Sequence, residues 1–410
     1  MSPPAFRENG CMRFVLLTAA TLLVCLTSLV SGQNVRFTSG SAVRDIPFRI
    51  ANNLILVEAS LNNAPKGWFI FDTGAESTVV ESKYAASAGL RQSGKTTGTG
   101  SAGTAVAGVI KGATFNLSTL KASDLTVYEL PLEAISVGLG VRIAGILGND
   151  VIAGTVAEID YPNLRLTLYS PAAFNPPSTA EVLPLTIEEH LPFVRASIDA
   201  AGRTTPAKLE IDTGSTGAVL FNSPFVRRHR LATSLGRSMG ARTGGVGGTG
   251  TSRVARVNGI QLGKTLIKEP IATLYTGAKG DNASDSYDGL LGGAIFRRFK
   301  VTVDLTGRRL FLEATPALGQ PFETDMSGFE LVADGDDLSK ILVDEVKPAS
   351  AAAKAGARGG ELIRSINGRP ASELGIQEVR RILKTPGEVD VELVRGRRVF
   401  TVHLVLVRVI

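Results

Sequence analysis

The sequence predicts a mainly β molecule of two tandem lobes built to one plan, followed by a small α+β domain. Three observations lead there. A chain of 410 residues exceeds one ordinary domain and suits two or three, while 45 glycines beside only 6 % aromatic residues point to many turns and short strands. Asp72-Thr73-Gly74 returns as Asp212-Thr213-Gly214, 140 positions on (212 − 72). Two further segments return at a spacing of 144: Ile146-Leu147-Gly148 as Leu290-Leu291-Gly292 (292 − 148), and the turn at Asp160 as the one at Asp304 (304 − 160). An internal duplication of about 140 residues accounts for all three. Beyond residues 316–321 the pattern changes to short strands mixed with helices. The expected organisation is an export segment at 1–32, lobe 1 at 33–175, lobe 2 at 176–320 and the terminal domain at 321–410.

Residues 14–30 are an apolar run behind Met12-Arg13, followed by Ser31-Gly32-Gln33, the layout of a secretory signal. Left uncleaved, the run is at the lower length for an inner-membrane anchor. In either case the rest of the chain is expected to be exported, to the periplasm or beyond. Both cysteines, Cys11 and Cys25, fall in or before this segment, so the mature chain holds no disulfide.

In chain order, residues 35–61 read as short strands with turns at Ser39-Gly40 and Asn52-Asn53, leading into Gly67-Trp68-Phe69-Ile70-Phe71. A β-rich run, Ser77 to Val80, precedes a short helix in 81–90. The Gly, Ser, Thr and Ala of 93–112 suit a surface hairpin or a mobile substrate cover equally. A hairpin at 156–168 turns at Tyr161-Pro162-Asn163, and the four prolines of 171–184 mark a linker. The second lobe repeats the sequence of events, with a helix expected from Asn222 or Ser223, Pro224 in its first turn, and a glycine-rich hairpin at 240–250. The terminal domain offers strands at 341–346 and 362–368, the latter ending in Asn367-Gly368, helices at 348–356 and 376–384, and a closing hairpin at 389–407.

The net charge of +6 is spread over 44 basic and 38 acidic residues without a long basic run, which argues against a nucleic-acid partner. Arg227-Arg228-His229-Arg230, the densest basic cluster, reads as a solvated helix face. His190, His229 and His403 stand in no metal-ligand spacing and near no Gly-x-Ser-x-Gly, so neither a metal site nor a serine hydrolase is expected, and no cofactor.

A lone Asp-Thr-Gly is a weak signal. Two copies, each closing an apolar run, put two carboxyls at strand ends where a glycine lets the backbone turn. With a later Leu-Gly in each repeat, residues 40–315 resemble the pepsin-like and retroviral-type aspartic proteases. That resemblance implies a bilobal acid protease fold, with Asp72 and Asp212 as the catalytic pair at a pseudo-twofold axis. It implies that Thr73 and Thr213 bond across between the halves, that Gly74 and Gly214 make close-packed turns, and that the segments at Gly148 and Gly292 run behind the aspartates. Such a protease cleaves polypeptides and is complete as a monomer.

Two carboxyls are needed because one must act as base while the other acts as acid. Like charges about 3 Å apart cannot both ionise, as is established for aspartic proteases as a class, so the pair shares one proton. Ala75 follows the first motif and Ser215 the second. The Ser215 hydroxyl is therefore expected to favour ionisation of Asp212, making the aspartates unequal and the pH optimum mildly acidic.

Lys347-Pro348-Ala349-Ser350-Ala351-Ala352-Ala353-Lys354-Ala355-Gly356, with Leu362-Ile363-Arg364-Ser365-Ile366-Asn367-Gly368, resembles bacterial PDZ domains over about 326–409. The resemblance implies binding of peptide C-termini by strand addition, with Gly328 and Phe329 in the carboxylate loop and Ile376 on the opposing helix. A PDZ unit that braces the protease is the competing expectation. The rival to an active enzyme is an inactive protease-like scaffold that holds peptides through the PDZ domain; two complete motifs speak against it.

Overall fold

In a computed structural model, residues 34–410 are described. The expected export segment, with Cys11 and Cys25, lies outside them. Each Asp-Thr-Gly follows a strand buried on both faces, which is why the preceding residues read as a near-continuous apolar run. Phe69, Ile70 and Phe71 are all 3 % exposed or less. Their strand, Gly67–Phe71, lies between the antiparallel Leu54–Leu61 and the parallel Ile143–Leu147. In the second lobe Arg203–Ile211 lies between Leu191–Ala200 and the parallel Gly289–Leu291. A fourth strand completes each lobe's set, Val79–Glu81 against Ile143–Leu147 and Val219–Phe221 against Gly289–Leu291, both antiparallel. The duplication read from the sequence is thus a duplication of strand order and direction.

The lobes are joined by a shared sheet. The hairpin Val156–Asp160 and Arg165–Tyr169 meets its repeat, Phe299–Asp304 and Arg309–Ala314, through antiparallel pairing from Val156↔Asp304 to Asp160↔Lys300. Ala42–Ala51 adds to one side of this sheet and Glu181–Pro184 to the other. The expected proline linker is therefore pinned at its end, as an edge strand where proline is tolerated. One continuous apolar core runs through both lobes, from Val43 through Phe69, Leu209 and Phe299 to Phe322.

Two hairpins project from the lobes, Gly94–Gly100 with Gly103–Leu117 and Ser238–Gly245 with Gly248–Arg256. Their tips touch. A Cβ on Gly103 would stand 2.5 Å from the Gly247 carbonyl oxygen, so the backbones meet at a distance only glycine permits. The tip at Ser101 is held by lobe 2 as well, its carbonyl accepting from Asn282 N at 3.3 Å.

The terminal domain folds around its own core, from Met326 to Leu406. Its sheet begins with Phe329–Asp334 at one edge, followed by Lys340–Val346, Leu362–Ile366, Gly387–Arg395 and Arg398–Leu406. Asn367 and Gly368, at φ 49° and 75°, make the expected turn. The helix expected over 348–356 is confined to Ala351–Lys354, because Ala349 takes φ 60° and Ser350 caps the first turn through Ala353 N. The helix expected from 376 belongs to Ala371–Leu383, broken at Gly375 (φ 70°) so that regular helix resumes at Ile376. The sequence reading missed the helix Glu133–Leu139 of lobe 1, which ends at Gly140 in the left-handed conformation. Among the described residues no helix is long and apolar enough to cross a membrane.

Candidate active site

The two motif loops are locked together by their threonines. Thr73 Oγ1 donates to the Ile211 carbonyl at 2.5 Å and accepts from Thr213 N at 3.1 Å; Thr213 Oγ1 donates to the Phe71 carbonyl at 2.7 Å and accepts from Thr73 N at 3.0 Å. Both threonines are fully buried. Four hydrogen bonds without competing water fix the relative position of the loops, and Asp72 and Asp212 go with them. Each aspartate accepts from its own glycine amide, Gly74 N to Asp72 Oδ1 and Gly214 N to Asp212 Oδ1, both at 2.8 Å. The carboxyls stand within hydrogen-bonding reach of each other.

Behind them run the segments expected from the repeat. Asp72 N donates to the Leu147 carbonyl at 3.1 Å and Asp212 N to that of Leu291 at 3.0 Å. Gly148 passes so near Ser77, and Gly292 so near Gly217, that a Cβ on either would be 2.5 Å from the neighbouring backbone. Asn149, which the sequence reading missed, donates through Nδ2 to the Thr73 and His190 carbonyls, both at 2.8 Å. It belongs to the one-turn helix Asn149–Ile152 directly after Gly148; Gly293–Phe296 follows Gly292 likewise.

Burial pushes both carboxyls above the usual carboxylate range. Asp72 is raised to about 6, held there by amides of its own loop and by the hydrogen bond from Asp212. Asp212 is raised further, by burial and then by the charge of Asp72. The arrangement favours a single shared proton, resting on Asp212. The expectation from Ser215 is corrected here: its hydroxyl makes no hydrogen bond to Asp212 among the described residues, and the amide of residue 215 plays the part that the amide of residue 75 plays for Asp72. The side-chain difference between Ala75 and Ser215 therefore does not set the asymmetry.

Two positions before the aspartates stand Ile70 and Glu210, related by the same offset of 140 (210 − 70). Ile70 belongs to an apolar cluster that includes Ala107 and against which Ala75, Ala105 and Val246 pack. Glu210 is 4 % exposed, and its carboxyl is raised well above the usual range by burial and then by the charges of Asp212, Asp72, Asp281 and Glu76. The signal for it was in the sequence: a lone acid inside Lys208-Leu209-Glu210-Ile211, a segment otherwise destined for a buried strand. Arg228, His229 and Arg230 of the basic cluster line a separate cavity of about 540 Å³ with Arg203 and Phe225, whose lining does not include the aspartates.

Fold and motif geometry together define a mainly β protease fold with a PDZ domain at its C-terminal end. Residues 57–151 match the aspartyl protease family and residues 342–395 match the PDZ domain. The first match contains Asp72, Thr73, Gly74 and Gly148 and ends before lobe 2, so Asp212 and its neighbours rest on the internal repeat. No curated protein matches the chain.

In the PDZ unit Gly328 and Phe329 are engaged within the domain, and Ile376 with lobe 1. Gly328 N donates to Asp325 Oδ1 at 2.6 Å, and Phe329 N to Ser327 Oγ at 3.1 Å. The Phe329 side chain is 4 % exposed, in the domain core. Arg380 reaches from the helix to the Leu331 carbonyl at 2.8 Å, across the space beside the edge strand. Ile376 and Ala333 pack against lobe 1, where a Cβ on Gly140 would stand 2.5 Å from Ile376 Cγ2 and in contact with Ala333. Gln377 fastens the contact, donating to the Leu139 carbonyl and accepting from Asn52 N, each at 2.8 Å.

Proposed function

We propose that this protein is an exported aspartic endopeptidase whose Asp72 and Asp212 activate a water to hydrolyse peptide bonds. The observation that carries the proposal is the threonine lock, which holds two half-buried carboxyls near each other from both repeats at once. Asp72, the more readily ionised, takes a proton from the water; the water oxygen attacks the scissile carbonyl; Asp212 gives its proton to the developing oxyanion. The roles then exchange, the amine leaves protonated, and the pair returns to one shared proton. No covalent intermediate is formed. The hairpins that meet at Gly103 and Gly247 serve as the cover that keeps water off the bound peptide.

The PDZ domain brings a capacity for peptides, and the contacts around Ile376 and Gln377 give it a second role as a brace of lobe 1. The test is digestion of an unfolded protein by the purified chain across pH, with and without pepstatin, beside Asp72→Asn. Cleavage by the parent that disappears in the variant is expected. Equal cleavage by both would sink the assignment of the pair, and no cleavage by the parent would favour a peptide-holding scaffold.

A further inference from the structure

Glu210 is a costly residue for a stable strand. A carboxyl largely removed from water is destabilised in its charged state unless a cation or a hydrogen-bond donor meets it, and Glu210, 4 % exposed, finds neither among the described residues. Its strand continues directly into Asp212. Residues two apart on a strand share a face about 6.6 Å apart, so Glu210 looks out beside Asp212 as Ile70 looks out beside Asp72. The contrast between the faces of that strand supports this: Leu209 and Ile211 point into the common core, and Glu210 does not. The groups that bear on Glu210 are all acidic, Asp212 first, then Asp72, Asp281 and Glu76, while it in turn bears on Tyr287. In a chain of net charge +6, the cleft gathers negative charge against the sign of the whole molecule.

The threonine lock ties the two motif loops by matching bonds, so Ile70 and Glu210, each two residues before its aspartate, take repeat-related places about the pair. A peptide whose scissile carbonyl lies between the aspartates then sets one flanking side chain over each. We propose that Glu210 is the specificity-determining floor of a subsite for a lysine or arginine side chain on one side of the scissile bond, opposite an apolar subsite floored by Ile70. A substrate ammonium or guanidinium supplies the missing partner and ionises the carboxyl, whose proton leaves to solvent. The inference rests on the endopeptidase reading, since it presumes where the peptide lies.

The test uses peptides of one cleavable sequence that carry lysine, or its uncharged counterpart norleucine, at each position flanking the scissile bond. Parent, Glu210→Gln and Glu210→Ile are compared. The parent is expected to favour lysine at one position by at least about 30-fold in kcat/KM, the scale of a buried charge pair, and norleucine at the other. In Glu210→Gln the lysine preference should fall to within about threefold while the norleucine peptide is still cleaved. Glu210→Ile, which copies the first lobe, should prefer norleucine at both positions. Equal treatment of lysine and norleucine by the parent at both positions overturns the proposal, as does a lysine preference that survives in both variants. If the parent cleaves no peptide, the endopeptidase reading fails, and calorimetry with the same peptides decides about the subsite: lysine-selective binding lost in Glu210→Gln sustains it, and its absence removes it. The parent's own preference does not depend on either variant folding.

Discussion

Gly74 lies so close beneath Asp212 that a Cβ in place of its hydrogen would stand 2.7 Å from the Asp212 carboxyl carbon, and Gly214 crowds Asp72 in the same way from the other half. The glycines of the motif are thus required by the opposite lobe, not only by the turn they make. A methyl group cannot be accommodated without parting the carboxyls. Gly74→Ala is expected to lower kcat by about 100-fold or more, the scale of an ångström of misplacement at reacting groups. Near-ultraviolet circular dichroism should show a folded chain. Peptide cleavage at the parental rate would show that the carboxyls do not act as a pair.

The threonine lock should be visible in stability. Thr73→Val removes a donor to the Ile211 carbonyl and an acceptor for Thr213 N, leaving two buried groups without partners. Each unsatisfied group costs about 1–3 kcal/mol. Urea unfolding should show Thr73→Val and Thr213→Val each less stable by about 2–6 kcal/mol, two such groups being stranded in each. The double variant should lose less than the sum, because the four hydrogen bonds form one network. Strict additivity would mean that the loops are held by packing alone.

The raised carboxyls fix the sign of the pH dependence. A group whose folded pKa lies above its unfolded value binds more protons when folded, so its contribution to stability is full below the unfolded pKa and declines as pH rises through the folded one. For Asp72 that window opens near 3.8 and runs through about 6, and Asp212 and Glu210 extend it upward. The melting temperature should therefore fall between pH 4 and pH 7, and fall less in Glu210→Gln. Activity is expected to rise as Asp72 ionises and to decline at higher pH as Asp212 gives up the shared proton. A melting temperature that climbs steadily from pH 4 to pH 7 in the parent alone, and not in Asp72→Asn, would contradict the shifts.

Much of this could be read from the chain. Strand ends that carry a motif leave local marks, apolar residues before and glycine after, and the repeat made those marks legible twice. The position of the duplicated hairpins and the turn at Asn367-Gly368 followed from turn chemistry in the same manner. What escaped depends on contacts between distant segments. Nothing near Asn149 announces that its amide will reach the Thr73 and His190 carbonyls. The Ser215 hydroxyl was expected beside Asp212 because sequence adjacency stood in for geometry, and the acidic surroundings of Glu210, which include Asp72 and Glu76 of the first lobe, appear only with that lobe in place. The PDZ residues fared similarly. A loop and a helix were recognisable, but not that Asp325, Arg380 and lobe 1 already engage the surfaces they present.

That engagement leads to the last prediction. Gln377 accepts from Asn52 N, and the adjoining Asn53 donates through Nδ2 to the Thr216 carbonyl at 2.7 Å, just past Ser215 in the second motif loop. Arg297 closes the same junction from lobe 2 through Asn53 Oδ1 at 2.6 Å. A single turn of lobe 1 thus touches both the PDZ helix and the loop that carries Asp212. Gln377→Ala leaves the Leu139 carbonyl and Asn52 N without partners and should loosen the PDZ unit, read as faster hydrogen exchange in residues 133–142 and 50–54. If the brace also steadies the motif loop, kcat on a short peptide should fall several-fold with KM nearly unchanged, because a short peptide has no need of a PDZ site. Deleting the chain after residue 321 should then reproduce the loss. A Gln377→Ala variant that exchanges faster in 133–142 but cleaves short peptides at the parental rate would confine the PDZ contact to stability. A loss seen only with long substrates, as a rise in KM, would assign the domain to substrate capture instead.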